Sequence, residues 1–268
     1  MSIIIKESDY KKALKDSMFL NQKVPVFADY EKDYQTSFLR YLYYICIMDA
    51  KGDYPTEVSK EEIENTFANI KGKCKPKINK ILIGEALPPN FGNYFYNTNI
   101  PWKNGMPDGS GRTWVREVKK ALFHNVCFST QTEFLTACAK NGFLLIDLFP
   151  YAISYSGKRK TKSYQLAAMS AMNQILIFLD SMNCCLHDEI AIAFGMKSFG
   201  DILLTDAPSV ANISTWLLSK GKTLTPPILI DKPRVTFCYT NSSKFLRVCG
   251  VKGSYGPVSD LLKQSGII

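Results

Sequence analysis

Four short runs of apolar residues interrupt the otherwise mixed pattern of the chain. They are Lys80–Gly84, Phe143–Leu148, Glu189–Phe194 and Arg234–Tyr239. Each run is apolar nearly throughout, which is typical of a strand that is covered on both faces. Longer stretches with helical character lie between them: Thr113–Phe123, Thr130–Lys140, Ser163–Met182, and Phe199–Lys220 with a break near Pro208. This alternation predicts an α/β fold with a mostly parallel sheet and helices on both of its faces.

The first 75 residues have a different pattern and predict helices without strands. Tyr30–Met48 is rich in aromatic and aliphatic residues and contains neither proline nor glycine. Lys60–Ile70 is a second predicted helix, because Ser59 precedes it and Glu62 follows at the spacing of a capping box. We therefore expect a helical N-terminal extension over residues 1–75, packed on an α/β domain over residues 76–268.

Composition narrows the class of protein and of partner. Hydrophobic residues make up 46% of the 268 positions and charged residues 21%, which is a globular composition. The chain has no apolar run of about 20 residues, and its first residues carry charge too early for a signal peptide. We therefore expect an intracellular protein, in the cytoplasm or the nucleus, without a membrane partner. The net charge of +9 favours a polyanionic partner such as nucleic acid.

The eight cysteines form no C-x-x-C pair, and most of them lie in apolar runs. A free thiol in such a run behaves as a small hydrophobic side chain. With only two histidines in the chain, a histidine-rich metal site is excluded. The sequence therefore predicts structural thiols, no metal and no cofactor.

Two acidic residues stand at the carboxyl ends of predicted strands, where ligands bind in open α/β sheets. Glu85 follows Gly84, a residue that lets the backbone approach a ligand closely. Asp147 interrupts an apolar strand, and a buried carboxylate is costly unless it is paired. Glu85 and Asp147 are the candidate catalytic residues, with helix capping or loop tying as the alternative for Asp147.

Aromatic residues follow the first strand and offer a flat face for a planar ring. They are Tyr94, Phe95 and Tyr96, and together with Gly84, Ala86 and Asn97 they form the candidate base-binding set. The alternative is a loop stiffened by Pro88 and Pro89 whose aromatic side chains lie in the core. The irregular segment Asn97–Arg112 has the length of a lid or binding loop.

Basic and hydroxyl side chains near the later strand ends are candidates for phosphate contacts. This set comprises Lys158, Arg159, Lys160, Lys197, Ser242, Ser243 and Lys244. For Ser242–Lys244, a plain polar turn is an equally open interpretation.

The order of these motifs resembles the uracil-DNA glycosylase superfamily. The resemblance rests on GEA-x-P after KILI, an aromatic residue about ten positions later, the strand end GFLLID, the run FGMKSFG and the final polar turn, and it covers about residues 78–250. It implies a three-layer α/β/α sandwich with a central four-stranded parallel sheet. It also implies that Glu85 activates water, that Tyr94, Phe95 or Tyr96 stacks on a flipped base, and that Phe245 or Leu246 enters the duplex.

Two positions depart from the superfamily pattern. The final motif lacks its histidine, with Tyr239 or Thr240 in that place, and Asp147 stands where many members carry an asparagine. An ionised Asp offers only acceptors, which suits an exocyclic amine such as that of cytosine or adenine and repels O4 of uracil. The sequence therefore leaves two functions open: a DNA glycosylase that excises an altered base, and a non-catalytic module that binds nucleic acid or a nucleotide.

Overall fold

The computed structural model describes residues 5–16, 25–70, 73–151, 162–194 and 223–224. This part of the chain is a mixed α/β protein built on a parallel three-stranded sheet. In chain order the strands are β1 (Ile78–Ala86), β2 (Trp102–Lys103), β3 (Met106–Pro107), β4 (Phe143–Phe149), β5 (Leu186–Phe194) and β6 (Thr223–Leu224). The main sheet has the order β4-β1-β5, and the two-residue β6 pairs in parallel with β5.

Seven helices precede, connect or flank these strands in the described residues. They are α1 (Glu7–Asp16), α2 (Phe27–Asp29), α3 (Thr36–Cys46), α4 (Lys60–Ala68), α5 (Thr113–Leu122), α6 (Gln131–Lys140) and α7 (Lys162–Ser181), with a π-helical turn over Tyr30–Gln35 between α2 and α3. The predicted α/β class and three of the four predicted strands are confirmed, each within a few residues of its predicted bounds. The remaining predicted strand, Arg234–Tyr239, and the predicted helix Phe199–Lys220 lie outside the described residues.

The core surrounds β1, the central strand. Ile81, Leu82 and Ile83 are fully buried, because β4 and β5 cover both edges of β1 and helices cover its faces. The register with β4 runs without a break from the Lys80–Phe143 pair to the Gly84–Asp147 pair. A strand in this position explains why the run KILIG has no polar alternation.

Two tyrosines cover the free edge of β4. The Tyr96 hydroxyl donates to the carbonyl of Leu145 at 2.7 Å and accepts from its N–H at 2.8 Å. The Tyr41 hydroxyl of α3 donates to the carbonyl of Phe143. An uncovered strand edge presents unpaired backbone groups, so these phenols satisfy groups that a further strand would otherwise pair. The N-terminal helices thus pack against the sheet edge.

Two local predictions have clear outcomes. The Ser59 side chain accepts from the N–H of Glu62, which confirms the predicted helix start. The segment Asn97–Arg112, predicted to be irregular, contains the small antiparallel pair of β2 and β3. Asn104 and Gly105, with φ of 52° and 72°, form the turn between them, and this dipeptide is a strong hairpin signal.

No helix among the described residues is both long enough and apolar enough to cross a membrane.

Candidate functional site

The register of β1 and β4 places Gly84 beside Asp147 near the carboxyl ends of the two strands. Neighbouring residues in register point to the same face of a sheet, so the Asp147 side chain lies over Gly84. A Cβ atom at position 84 would overlap the Oδ1 atom of Asp147. Glycine at this position therefore makes room for the carboxyl group, a role that the sequence alone did not indicate.

The environment of Asp147 stabilises its neutral form. The side chain is half-buried, and burial raises the pKa of its carboxyl group from 3.8 to about 7. Among the described residues, the carboxyl has neither a hydrogen-bond donor nor a basic side chain within ion-pair distance. Desolvation without a compensating partner is the physical cause of such a shift. Asp147 can therefore exchange a proton near neutral pH.

A cavity of about 290 Å³ opens beside Asp147 at the outer edge of β4. Its wall is mostly apolar, and it is formed by β4, the N-terminal helices, the segment after β1, and α7. The aromatic lining consists of Tyr30, Tyr34, Phe38, Tyr94, Phe149, Tyr151 and Phe178. Concave, mostly apolar sites with a few polar groups are typical of small-molecule binding.

Tyrosine rings form a continuous aromatic wall on one side of this cavity. Tyr30 and Tyr34 stack with their centroids 6.4 Å apart, and Tyr34 contacts Tyr94 at 5.0 Å. Burial, and after it the negative charge of Asp147, raises the pKa of the Tyr94 phenol. The carboxyl group of Asp147 therefore lies close to the Tyr94 ring system.

Gln35 adds a buried polar side chain to the cavity wall, whose other polar lining residues besides Asp147 are exposed: Asp9, Lys12, Ser170 and Gln174. The Gln35 side chain is 4% exposed, and its Oε1 accepts from the N–H of Ile5 at 2.7 Å. Its Nε2 has no hydrogen-bond partner within the described part of the chain. An unpaired buried donor costs free energy, and a ligand that accepts a hydrogen bond would recover part of that cost.

Glu85 lies on the opposite face of the sheet from Asp147. It follows Gly84, and successive residues of a strand point to opposite faces. Its side chain is 3% exposed, and Oε1 accepts from the Tyr164 hydroxyl of α7 at 2.6 Å. The described lining of the cavity includes Asp147 but not Glu85. The expected meeting of both carboxylates in one cavity is therefore not found here.

Of the predicted base-binding residues, only some line the cavity. Tyr94 lines the cavity, whereas Phe95 is 2% exposed and packs edge-on against Phe134 of α6. The Tyr96 hydroxyl bonds to the backbone of Leu145 at the edge of β4. Ala86 is half-buried and is the last residue of β1. Asn97 donates from Nδ2 to the carbonyl of Phe91 at 3.2 Å, so its side chain ties the loop.

The predicted phosphate contacts cannot be placed with this site. Lys158, Arg159, Lys160, Lys197, Ser242, Ser243 and Lys244 all lie outside the described residues.

Sequence reasoning missed the contribution of the N-terminal helices to the cavity. Tyr30, Tyr34 and Gln35 belong to the stretch Tyr30–Met48, for which the sequence pattern predicts only a helix. No local signal distinguishes Gln35 from the polar residues before it, Glu31, Lys32 and Asp33.

Comparisons of this chain with protein-family models, with curated protein sequences and with solved structures gave no match.

Proposed function

We propose that the protein binds nucleic acid or a nucleotide and holds one base, bearing an exocyclic amine, in the cavity beside Asp147. The observation that carries this proposal is the unpartnered Asp147 carboxyl group in a cavity walled by tyrosine rings. Its volume of about 290 Å³ lies just below the range of about 300–1,000 Å³ for ligand sites. A single base, or a base with its sugar, is a ligand of suitable size.

The two protonation states of Asp147 recognise different edges of a base. The protonated carboxyl donates from its O–H and accepts at its carbonyl oxygen, which matches the ring nitrogen and exocyclic amine of cytosine or adenine. The ionised carboxyl accepts only, and it repels a carbonyl such as O4 of uracil. The free Nε2 donor of Gln35 suits a carbonyl elsewhere on the base, such as O2 of cytosine.

The proposal of a polyanionic partner rests on the net charge of the chain and on the order of its motifs. The net charge is +9, and the sequence places Lys158, Arg159 and Lys160 a few residues after Tyr151 of the cavity wall. The order of strand-end motifs supports a glycosylase-like α/β/α sandwich with a four-stranded sheet. In such a protein, an extruded base would enter the cavity while the basic segments contact the phosphates.

Calorimetric titration with free nucleosides tests the base preference. A good bidentate pair is worth about 1–3 kcal/mol, so above about pH 7, where the ionised carboxyl repels O4 of uracil, cytidine or adenosine should bind about 10- to 100-fold more tightly than uridine. At the same pH, Asp147→Asn should weaken this preference and improve uridine binding, because the asparagine amide donates to O4 of uracil where the ionised carboxyl repels it. Asp53→Asn is the matched control, since it makes the same change at an exposed position.

The proposal fails if no nucleoside binds, or if Asp147→Asn leaves the preference unchanged. A second titration with a fluorescent oligonucleotide at several salt concentrations tests the polyanionic partner. We expect affinity to fall as salt rises, and a salt-independent affinity would contradict the proposed phosphate contacts.

Base excision is the second candidate, because a carboxyl group with a pKa near 7 suits acid–base chemistry at neutral pH. In this reaction a water oxygen bonds to C1′ of the sugar and the C1′–N bond breaks. The electron pair of that bond goes to the base, which takes up a proton. Protonated Asp147 would supply that proton as the base leaves, and the proton that the attacking water loses would pass through solvent and restore the protonated carboxyl.

Oligonucleotides carrying single altered bases test excision. Abasic product that is lost in Asp147→Ala supports a catalytic role for the cavity. Product that is lost in Glu85→Gln but kept in Asp147→Ala would move the reaction to the other face of the sheet. Tight base binding without abasic product identifies the protein as a binding module.

A further inference from the structure

We propose that Cys74, Cys184 and Cys185 together bind one zinc ion at the amino ends of the strands. The site lies where three segments of the chain meet. Cys74 precedes β1, Cys184 and Cys185 belong to the 3₁₀ turn Asn183–Cys185 that leads into β5, and the residues just after α3 pair with the segment before β1. The site is distinct from the cavity, which lies near the carboxyl end of β4.

The spacing of the sulfur atoms fits a single tetrahedral ion. The Sγ atoms of Cys74, Cys184 and Cys185 all lie within 4.8 Å of one another, and those of Cys184 and Cys185 are 3.9 Å apart. Zinc–sulfur bonds of about 2.3 Å in a tetrahedron place the sulfurs ~3.8 Å apart. An iron–sulfur cluster contains several irons and bridging sulfides, so its thiolates must lie farther apart.

Three thiolates leave the fourth position of a tetrahedral zinc ion to a water molecule, as in other zinc sites with three protein ligands.

Backbone and ion-pair contacts hold the three segments in this arrangement without the metal. The N–H of Lys77 donates to the carbonyl of Cys185 at 2.9 Å. Asp49, just after α3, pairs with Lys77 at 3.5 Å and with Lys75 at 3.9 Å. The positions of the thiols are therefore set by neighbouring groups, as expected for a prearranged site.

Basic residues near the thiols suit the negative charge of a zinc–thiolate group. Three thiolates and one Zn²⁺ carry a net charge of −1, which a basic surrounding stabilises. Lys73 and Lys75 flank Cys74 in the sequence, and Lys77 contacts the Cys185 segment.

Metal analysis of the full-length protein tests the proposal. After purification under reducing conditions with added Zn²⁺, we expect one zinc per chain by elemental mass spectrometry. Addition of Cd²⁺ to the metal-free protein should produce the ultraviolet charge-transfer absorption of cadmium–thiolate bonds. Cys74→Ser and Cys184→Ser should lose both signals. Cys127→Ser is the matched control and should keep both, because Cys127 is exposed and lies outside the cluster.

Alkylation of the wild-type chain provides a readout that does not require the variants to fold. Zinc should protect Cys74 and Cys184 from iodoacetamide, a chelator should remove that protection, and Cys127 should react equally in both states. Reduced protein that retains no zinc and shows no protection would overturn the proposal. A disulfide between Cys74 and either neighbouring cysteine, or bound iron with inorganic sulfide, would overturn it as well.

Discussion

Asp147→Asn should change how the stability of the protein depends on pH. The folded protein holds the Asp147 carboxyl at a pKa of about 7, against an ordinary value of 3.8. Below about pH 4, the carboxyl is protonated in both the folded and the unfolded chain. Between about pH 4 and pH 7, only the unfolded chain ionises it, so the wild-type free energy of unfolding falls as pH rises. Above about pH 7 both states are ionised, and the penalty stays constant.

The size of this penalty follows from the raised pKa. One pKa unit is worth about 1.4 kcal/mol, so a rise from 3.8 to about 7 corresponds to roughly 4 kcal/mol. The carboxyl is half-buried and opens on the cavity, and this partial solvation lowers the expected value to about 2–4 kcal/mol. Asparagine has nearly the same shape and no charge, so the variant should avoid this penalty.

Urea denaturation at about pH 5 and about pH 8 measures the effect. We expect Asp147→Asn to gain stability relative to the wild type between the two pH values, by about 1–3 kcal/mol, because part of the penalty has already developed at about pH 5. Asp53→Asn, at an exposed position, serves as the control and should follow the wild-type profile. Parallel pH profiles for Asp147→Asn and the wild type would refute a buried, unpaired carboxyl at this position.

Three further substitutions test other parts of the structure. Tyr96→Phe leaves the N–H and carbonyl of Leu145 without their partner at the edge of β4, and it should cost about 1–3 kcal/mol in urea denaturation, whereas an unchanged midpoint would contradict the edge contact. Gly84→Ala places a methyl group against Asp147, so it should lower both the melting temperature and nucleoside affinity, and full affinity would contradict the proposed packing. Ser59→Ala removes the cap of α4 and should cost about 1 kcal/mol of unfolding free energy, with no measurable loss as the contrary result.

The strands were predictable because their physical signal is local. A run such as KILIG or FLLIDL is apolar on both faces, and only a buried parallel strand requires that pattern. The helix start at Ser59 was predictable for the same reason, since a cap and its partner lie three residues apart.

The candidate site was only partly predictable, because its members meet through tertiary contacts. Asp147 was identifiable as a carboxylate inside an apolar strand, but its separation from Glu85 depends on which face each residue occupies. That relation follows from the register of β1 against β4, which places Gly84 and not Glu85 beside Asp147. The contribution of Gln35 depends on how the N-terminal helices dock on the sheet edge, and no local pattern encodes that docking.

The cysteines illustrate the same limit. Their spacing along the chain shows no metal motif, since Cys74 and Cys185 are far apart in sequence. The thiols meet because the end of α3 and the segments before β1 and β5 converge at the amino ends of the strands. Only the topology brings these residues together.

A crystal structure of the protein soaked with cytidine would show directly whether a base binds beside Asp147. We expect electron density for the base in the cavity, with its exocyclic amine within hydrogen-bond distance of the Asp147 carboxyl and its ring against the Tyr94 side of the wall. Base density near Glu85 on the other face of the sheet, or a cavity that holds only water at saturating cytidine, would contradict it.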